Sequence, residues 1–308
     1  MNDRRYAMNV AVSDMPFWCE PKNTWEKIGS VVPGVEMMFG GPPDDDVSKQ
    51  IEELEMLISQ DVSGLVVFSN DSRAVAPVID KAVGENIPVI TAFADVPSRR
   101  LAHVGSDQAS LAVQIARRVM TDFTDRIQHQ PKALIVIGRE TSLDQVERLD
   151  GIRKTIDGRM RVLDHVEDKF NPVEAERVIR EAFERDGEIK FVFGCNSQSA
   201  IGAVEALRNL GYREGDVVIT GWDSETRVLQ QIKAGSEGRS WIHATAVLYS
   251  SYMVQVCFAI LEAESFGYLY PDTLNTRELK LPAIPGTIVV PMKPVVTSKN
   301  VDEYLGKE

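Results

Sequence analysis

The sequence predicts an α/β protein of two Rossmann-like lobes, each a parallel sheet flanked by helices, joined by a hinge of crossing strands. Three observations point there. Apolar runs of four to six residues alternate with segments of 3.6-residue periodicity along most of the chain. The runs are continuous rather than alternating in polarity, which suits parallel strands covered by helices on both faces. The rhythm then restarts near residue 110, so a second series of strand–helix units follows the first at about the same length.

Taken in order, residues 8–12 form a first strand, 23–30 a short helix and 35–39 a second strand, ended by Gly40-Gly41-Pro42-Pro43-Asp44-Asp45-Asp46. The next helix sets Val47, Ile51, Leu54 and Ile58 on one face, the spacing of a core-facing stripe. Its Asp-rich entry supplies a cap and favourable charge at the positive end of the helix dipole. A strand at 65–68, a helix at 74–83 and a strand at 88–92 complete the first series. The second runs through helices at 111–123, 143–156, 172–185 and 200–210, with strands at 133–137, 162–165, 191–193 and 217–220. After Gly235 the regularity falters. A short strand around 241–244 and a long helix from Ala246 lead to a tail punctuated by Pro271, Pro282, Pro285, Pro291 and Pro294. Such a tail reads as strands crossing between lobes. The expected division is 1–106 plus 244–288 for the N-terminal lobe and 107–243 plus 289–308 for the other.

Composition and motifs exclude several classes. The 308 residues carry a formal charge of −12, the opposite of the basic footprint that non-specific nucleic-acid binding needs. No run of about 18 apolar residues is present to span a membrane. Cys19, Cys195 and Cys257 lack metal-ligand spacing, and none of His103, His129, His165 and His243 pairs with another ligand, so no metal is expected. There is neither a Gly-rich phosphate loop nor a G-x-S-x-G elbow, so neither a cofactor nor a catalytic residue is expected. Paired carboxylates in a cleft remain compatible with a carbohydrate-acting enzyme, but the weight lies with binding. The start, Met1 to Arg5, leads into a strand with no basic-then-apolar leader. That fits either a cytoplasmic protein or one that begins after a removed export signal.

In open α/β sheets ligands sit beyond the carboxyl ends of the strands, so two facing lobes enclose a cleft lined by those loops. After the first strand come Asp14, Phe17 and Trp18. The two rings either cap the lobe's own core or offer a face for stacking on sugar C–H groups, with one of the pair the better candidate for the cleft. Ser69-Asn70-Asp71-Ser72 reads as a helix cap. Phe93 and Asp95 follow the fourth strand, where Asp95 either accepts from hydroxyls or fixes the loop as an Asx turn. Arg148 carries five donors suited to vicinal hydroxyls or a carboxylate, or is a surface Arg on a helix. Phe170 is a stacking face or a core plug. Asn196 is a diol partner or an N-cap, and Asp223 accepts hydroxyls or caps the next helix. A lone histidine such as His243 is more often structural, but it follows Trp241 on a strand expected to face the cleft.

Together these segments resemble the type I periplasmic binding proteins, in particular the ribose-type sugar-binding proteins of ABC transporters. The resemblance rests on Met15-Pro16-Phe17-Trp18, Ile87-Pro88-Val89-Ile90-Thr91, Val104-Gly105-Ser106-Asp107, Glu147-Arg148-Leu149-Asp150-Gly151, Phe193-Gly194-Cys195-Asn196 and Gly221-Trp222-Asp223, in that order. The ending from Val296 to Leu305 also looks like exported solute-binding proteins. The resemblance implies that Phe17 and Trp18 match paired aromatics near the ligand, and Phe170 an aromatic that sandwiches it. Arg148, Asn196 and Asp223 match polar ligand contacts, and His243 falls where the family often has Gln. It further implies a monomeric, non-enzymatic, periplasmic or extracellular protein that closes on a sugar or polyol and delivers it to a membrane permease. Phe93 and Ala94 stand where ribose binders have Asp and Arg, and Met15 where they have Asn. The expected ligand is therefore not ribose in the same pose, and the first-lobe side of the pocket should be more apolar. The same fold serves as the effector domain of LacI-type regulators, which carry a DNA-reading helix-turn-helix before the first strand. The alternative expectation is thus a ligand-sensing domain of such a regulator or of a signalling receptor.

Overall fold

The extent of the first strand is set by its neighbours rather than by its most apolar run. In the computed structural model, which describes residues 4–234, 240–267 and 286–305, β1 (Arg4–Asn9) pairs in parallel with β2 (Val35–Gly40) and with β3 (Gly64–Val67). Val10, Ala11 and Val12, expected inside the strand, are buried in the loop beyond it. Between these strands lie α1 (Cys19–Val31) and α2 (Val47–Ser59), followed by α3 (Ser72–Gly84), β4 (Val89–Ala92) and β5 (Ala102–Gly105). The chain continues with α4 (Gln108–Asp122), α5 (Thr124–Ile127), β6 (Lys132–Ile137), α6 (Leu143–Ile156), β7 (Arg161–Val162), β8 (Val166–Glu167), α7 (Pro172–Arg185), β9 (Ile189–Gly194), α8 (Ser197–Asn209), β10 (Val218–Trp222) and α9 (Thr226–Ala234). Then come β11 (Ile242–Ala246), α10 (Ser250–Ser265), β12 (Thr287–Val289) and β13 (Val296–Thr297). Of the punctuated tail, Pro271, Pro282 and Pro285 lie outside the described residues.

The strands form two sheets. One has the order β12-β5-β4-β3-β1-β2 and is parallel throughout. The other has the order β13-β11-β10-β9-β6-β7, with β8 also on β6, and only its β13 edge is antiparallel. The chain accordingly divides into two compact units. The first holds Met1–Ser106, Thr141–Leu143 and Tyr249–Pro291; the second holds Asp107–Glu140, Asp144–Leu248 and Met292–Glu308.

Two boundaries move from where the sequence placed them, from 243/244 to 248/249 and from 288/289 to 291/292. The cause of the first is that β11 is not a crossing strand. Its backbone pairs with β10 from Ile219 to Trp222, which commits the segment to the second sheet. The chain leaves for the first unit only after Leu248, at the entry to α10.

Helix starts are fixed by short polar side chains. Asp46, Asp71, Asp107, Asn171 and Asn196 each accept from a backbone N–H two or three residues on. Five entries are therefore capped at the carboxyl-end side of a strand, and the loops there are held at a defined angle. Beneath them the second unit packs Leu134, Val136, Val192 and Ile219 of its sheet against Ile179 and Phe183 of α7 and Val204 and Leu207 of α8. The first packs Leu65, Val67 and Val89 against Leu54 and Ile58 of α2 and Val75 and Ile79 of α3.

Candidate functional site

In the first unit, the loops after β1 and β4 build an aromatic cluster. A short 3-10 turn at Pro16–Trp18 presents Phe17 and Trp18, whose rings meet edge-to-face at 4.8 Å. Phe93 packs edge-on to both, at 5.4 Å from Phe17 and 5.3 Å from Trp18, and Phe68 joins Trp18 at 5.1 Å. Trp18 and Phe93 are buried in this cluster, whereas Phe17 is only partly covered. Phe17 is thus the ring with a face to offer, and Trp18 is a core wall. Phe93 holds φ at +66°, a region that bulky side chains rarely occupy. Asp14 is exposed on the loop before the turn.

Asp95 departs from its expected role as a hydroxyl acceptor. Arg100 grips its carboxylate through Nε at 2.6 Å and Nη2 at 2.5 Å, and Thr91 Oγ1 donates at 2.9 Å. Burial opposes ionisation, but the Arg100 hydrogen bonds and the nearby His103 and Arg100 charges hold this carboxyl below the usual range. With its acceptor sites filled from within its own unit, Asp95 anchors the loop.

The second unit gathers its polar candidates at the carboxyl ends of four neighbouring strands, β8, β6, β9 and β10. Arg148, on α6, is buried and fixed on all three nitrogens. Nε donates to Gln108 Oε1 at 3.0 Å, Nη1 to the Cys195 carbonyl at 2.7 Å, and Nη2 meets Asp144 Oδ2 at 2.8 Å. Its guanidinium plane lies over the Trp222 ring, 4.4 Å from the centroid. A guanidinium has five N–H donors, so this arrangement leaves two for another partner.

Asp223 follows Trp222 at the end of β10, with φ at +71°. Its backbone N–H donates to the Ala246 carbonyl, and its own carbonyl accepts from Thr245 Oγ1. These bonds fix the backbone and leave the side chain uncommitted. Among the described residues no donor reaches its carboxylate, although the residue is only 7% exposed. Burial pushes this carboxyl up to about 7, with Arg148 working against the rise and Asp144 and Glu225 adding to it. A buried acceptor of this kind calls for donors from elsewhere.

Asn196 and Phe170 are organised by Asp168, a residue that sequence reasoning missed. Asn196 caps α8 through Oδ1, and its amide nitrogen reaches Asp168 at 3.1 and 3.2 Å. Asp168 also accepts from Ser199 Oγ at 2.5 Å and from the Phe170 N–H at 2.8 Å. It is fully buried, and burial raises its carboxyl to about 7 despite those bonds. The Phe170 ring lies over the Gly138 backbone, close enough that any Cβ there would overlap it. Asp168 sits between Glu167 and Lys169, a setting that reads as a solvated loop and gave no signal. Asp144 had one, since an acid four residues before an Arg on a helix is a paired arrangement.

His243 is displaced from the expected site. It is the second residue of β11, and its Nε2 reaches Asp122 at 2.7 Å at the carboxyl end of α4, with Phe123 packed on its ring at 4.7 Å. The start of a parallel strand is the end away from the ligand loops. Burial lowers its pKa, with Asp122 partly opposing. Among the described residues no cluster of metal-ligating side chains occurs, and no helix is long and apolar enough to cross a membrane.

Known proteins share this architecture. The model of the family described as "Periplasmic binding protein domain" matches residues 6–265. The ribose import binding protein RbsB of Bacillus subtilis is 24% identical over 234 residues, covering 75% of this chain and 74% of that protein. An ABC transporter solute-binding protein from Burkholderia graminis, solved with D-arabinose, superposes with a TM-score of 0.84 at 20% identity over 98% of both chains. A solute-binding protein from Bacillus halodurans with bound myo-inositol gives 0.81 at 20% identity, over 100% of this chain and 99% of that one.

Proposed function

Because the chain belongs to the periplasmic binding protein domain family, we propose that it is the solute-binding protein of an ABC transporter and takes a neutral sugar or polyol. It is a binding protein and not an enzyme. The observation that carries the ligand class is Asp223, a buried carboxylate that no donor among the described residues reaches, beside an Arg148 with two N–H groups to spare. Vicinal hydroxyls satisfy both at once, donating to the carboxylate and accepting from the guanidinium. Phe17 adds an aromatic face for the ring C–H groups, and Phe170 offers a ring at the end of β8. Ribose, D-arabinose and myo-inositol, which the three relatives are named for or hold, are all neutral and hydroxyl-rich.

Action outside the cytoplasm as a monomer and delivery to a membrane permease belong to the same proposal. The departures at Met15, Phe93 and Ala94 argue for a ligand less polar on the side that meets the first unit. A thermal-shift screen over neutral sugars and polyols tests the reading, since a ligand that binds only the folded chain raises Tm. A hit is expected. Asp223→Ala and Arg148→Ala should each weaken it by about 1–3 kcal/mol, the cost of leaving a buried partner unpaired. Unchanged affinity in both variants would remove these residues from the site.

A further inference from the structure

The polar cluster at the second unit's strand ends has a defined charge balance. Among the described residues, Arg148 is the cation whose charge acts on Asp223 and Cys195, and Asp144, buried with it and 2.8 Å away, sets a negative charge directly against it. Beyond that pair the same strand ends hold Asp223, Asp168 and, half-buried on Gln198, Glu225. Arg148 is also immobilised, held by Gln108, the Cys195 carbonyl and the Trp222 ring, so it cannot swing away from Asp144 to meet an incoming anion.

We propose that Asp144 is a specificity-determining residue: by neutralising Arg148 in place, it makes the site reject sugar acids and accept their neutral counterparts. The proposal rests on the sugar-binding reading above and goes beyond it by assigning the discrimination to one side chain that acts through another. An Arg facing a ligand would otherwise be an invitation to a carboxylate, because the guanidinium fork and a carboxylate form paired charge-assisted hydrogen bonds. Here that fork is already answered by Asp144. A ligand carboxylate brought to the two remaining N–H groups would instead stand beside Asp223 with no net positive charge to meet it. A hydroxyl in the same place meets donors and an acceptor with no charge penalty. Asp144 is a positioning residue in this scheme; it sets the charge and pose of Arg148.

Isothermal titration at pH 8, where Asp223 and every ligand carboxylate are ionised, tests this. The probes are D-glucose, D-galactose, D-arabinose and myo-inositol against D-glucuronate and D-galacturonate, on the wild-type chain, Asp144→Asn and Asp144→Glu. The wild type is expected to bind at least one neutral probe, with the uronates at least about tenfold weaker. Asp144→Asn keeps a hydrogen bond to Arg148 but frees its charge, so the gap between uronates and neutral probes should narrow by about tenfold or more. Asp144→Glu keeps the charge and should keep the rejection. A merely structural Asp144 would weaken both ligand classes by the same factor in Asp144→Asn, which overturns the proposal. Uronates bound by the wild type as tightly as the neutral probes overturn it too, whether or not either variant folds. Binding of none of the six by the wild type instead strikes at the sugar reading, and the assignment to Asp144 falls with it.

Discussion

Burial with no donor among the described residues gives Asp223 a stability cost as well as a role. Its carboxyl ionises near 7 in the folded chain, against about 3.9 in an unfolded one. Between those values the folded state holds a proton that the unfolded state has lost, so this residue's contribution falls as pH rises from about 4 toward 7 and is level above. Asp223→Asn removes the ionisation and should raise the Tm of the ligand-free protein at pH 8 by on the order of 5 °C. At pH 4 the two proteins should melt together, and calorimetry at both values checks the sign. Ligand hydroxyls that donate to the carboxylate favour its charged form, so binding releases a proton near pH 6.5, and affinity should rise with pH up to about 7. Titrations in buffers of different ionisation enthalpy read that proton directly. As acids in loops after strands, Asp95 and Asp223 each have two readings from the residues alone, and the resemblance supports Asp223 only. What separates them is one cation, since Arg100 lies five residues on and folds back to occupy Asp95 alone.

At the scale of elements, strand ends and helix starts decide where side chains go. The short polar residues before α2, α3 and α8 were legible as caps, because a cap is a local arrangement of chain and side chain. That Asn196 is also tied to Asp168 was not legible, because that pairing spans 28 residues and depends on β8 and β9 both lying beside β6. His243 misled for a related reason: its segment reads as a crossing strand, whereas β11 pairs in parallel with β10 and His243 is its second residue, at the end away from the ligand loops. Close approach makes two glycines sensitive. At Gly138 a Cβ would overlap the Phe170 ring, so Gly138→Ala should push Phe170 from its place and weaken ligand binding while the fold survives. At Gly202 of α8 a Cβ would stand 2.7 Å from the backbone nitrogen of Glu176 on α7. Backbone cannot yield as a side-chain tip can, so Gly202→Ala should cost about 1–3 kcal/mol of stability, measured by urea unfolding, with the affinity of the folded fraction unchanged.

For the whole molecule, the division into two parallel-sheet units followed from the rhythm of apolar runs, which is a property of each sheet by itself. The later boundaries did not follow, because β11, β12 and β13 take their sheet from long-range pairing and their sequence carries no mark of which one. The candidate ligand groups fall in both units, with Phe17 in the first and Arg148, Asn196 and Asp223 in the second. Hydrogen exchange at saturating ligand tests each unit's candidates by themselves. Residues 13–18 and 93–95 should slow if the first unit's candidates touch the ligand, and 194–199 and 221–225 if the second unit's do, because local opening of a segment that holds ligand costs the binding free energy. If the second unit binds by itself, protection should be confined to the latter two segments. The Asp223→Ala variant separates protection that comes from the ligand from any that comes from added solute. At a ligand concentration that saturates the wild type but not this variant, protection that comes from the ligand should fall in the variant, whereas protection from added solute should be equal in the two.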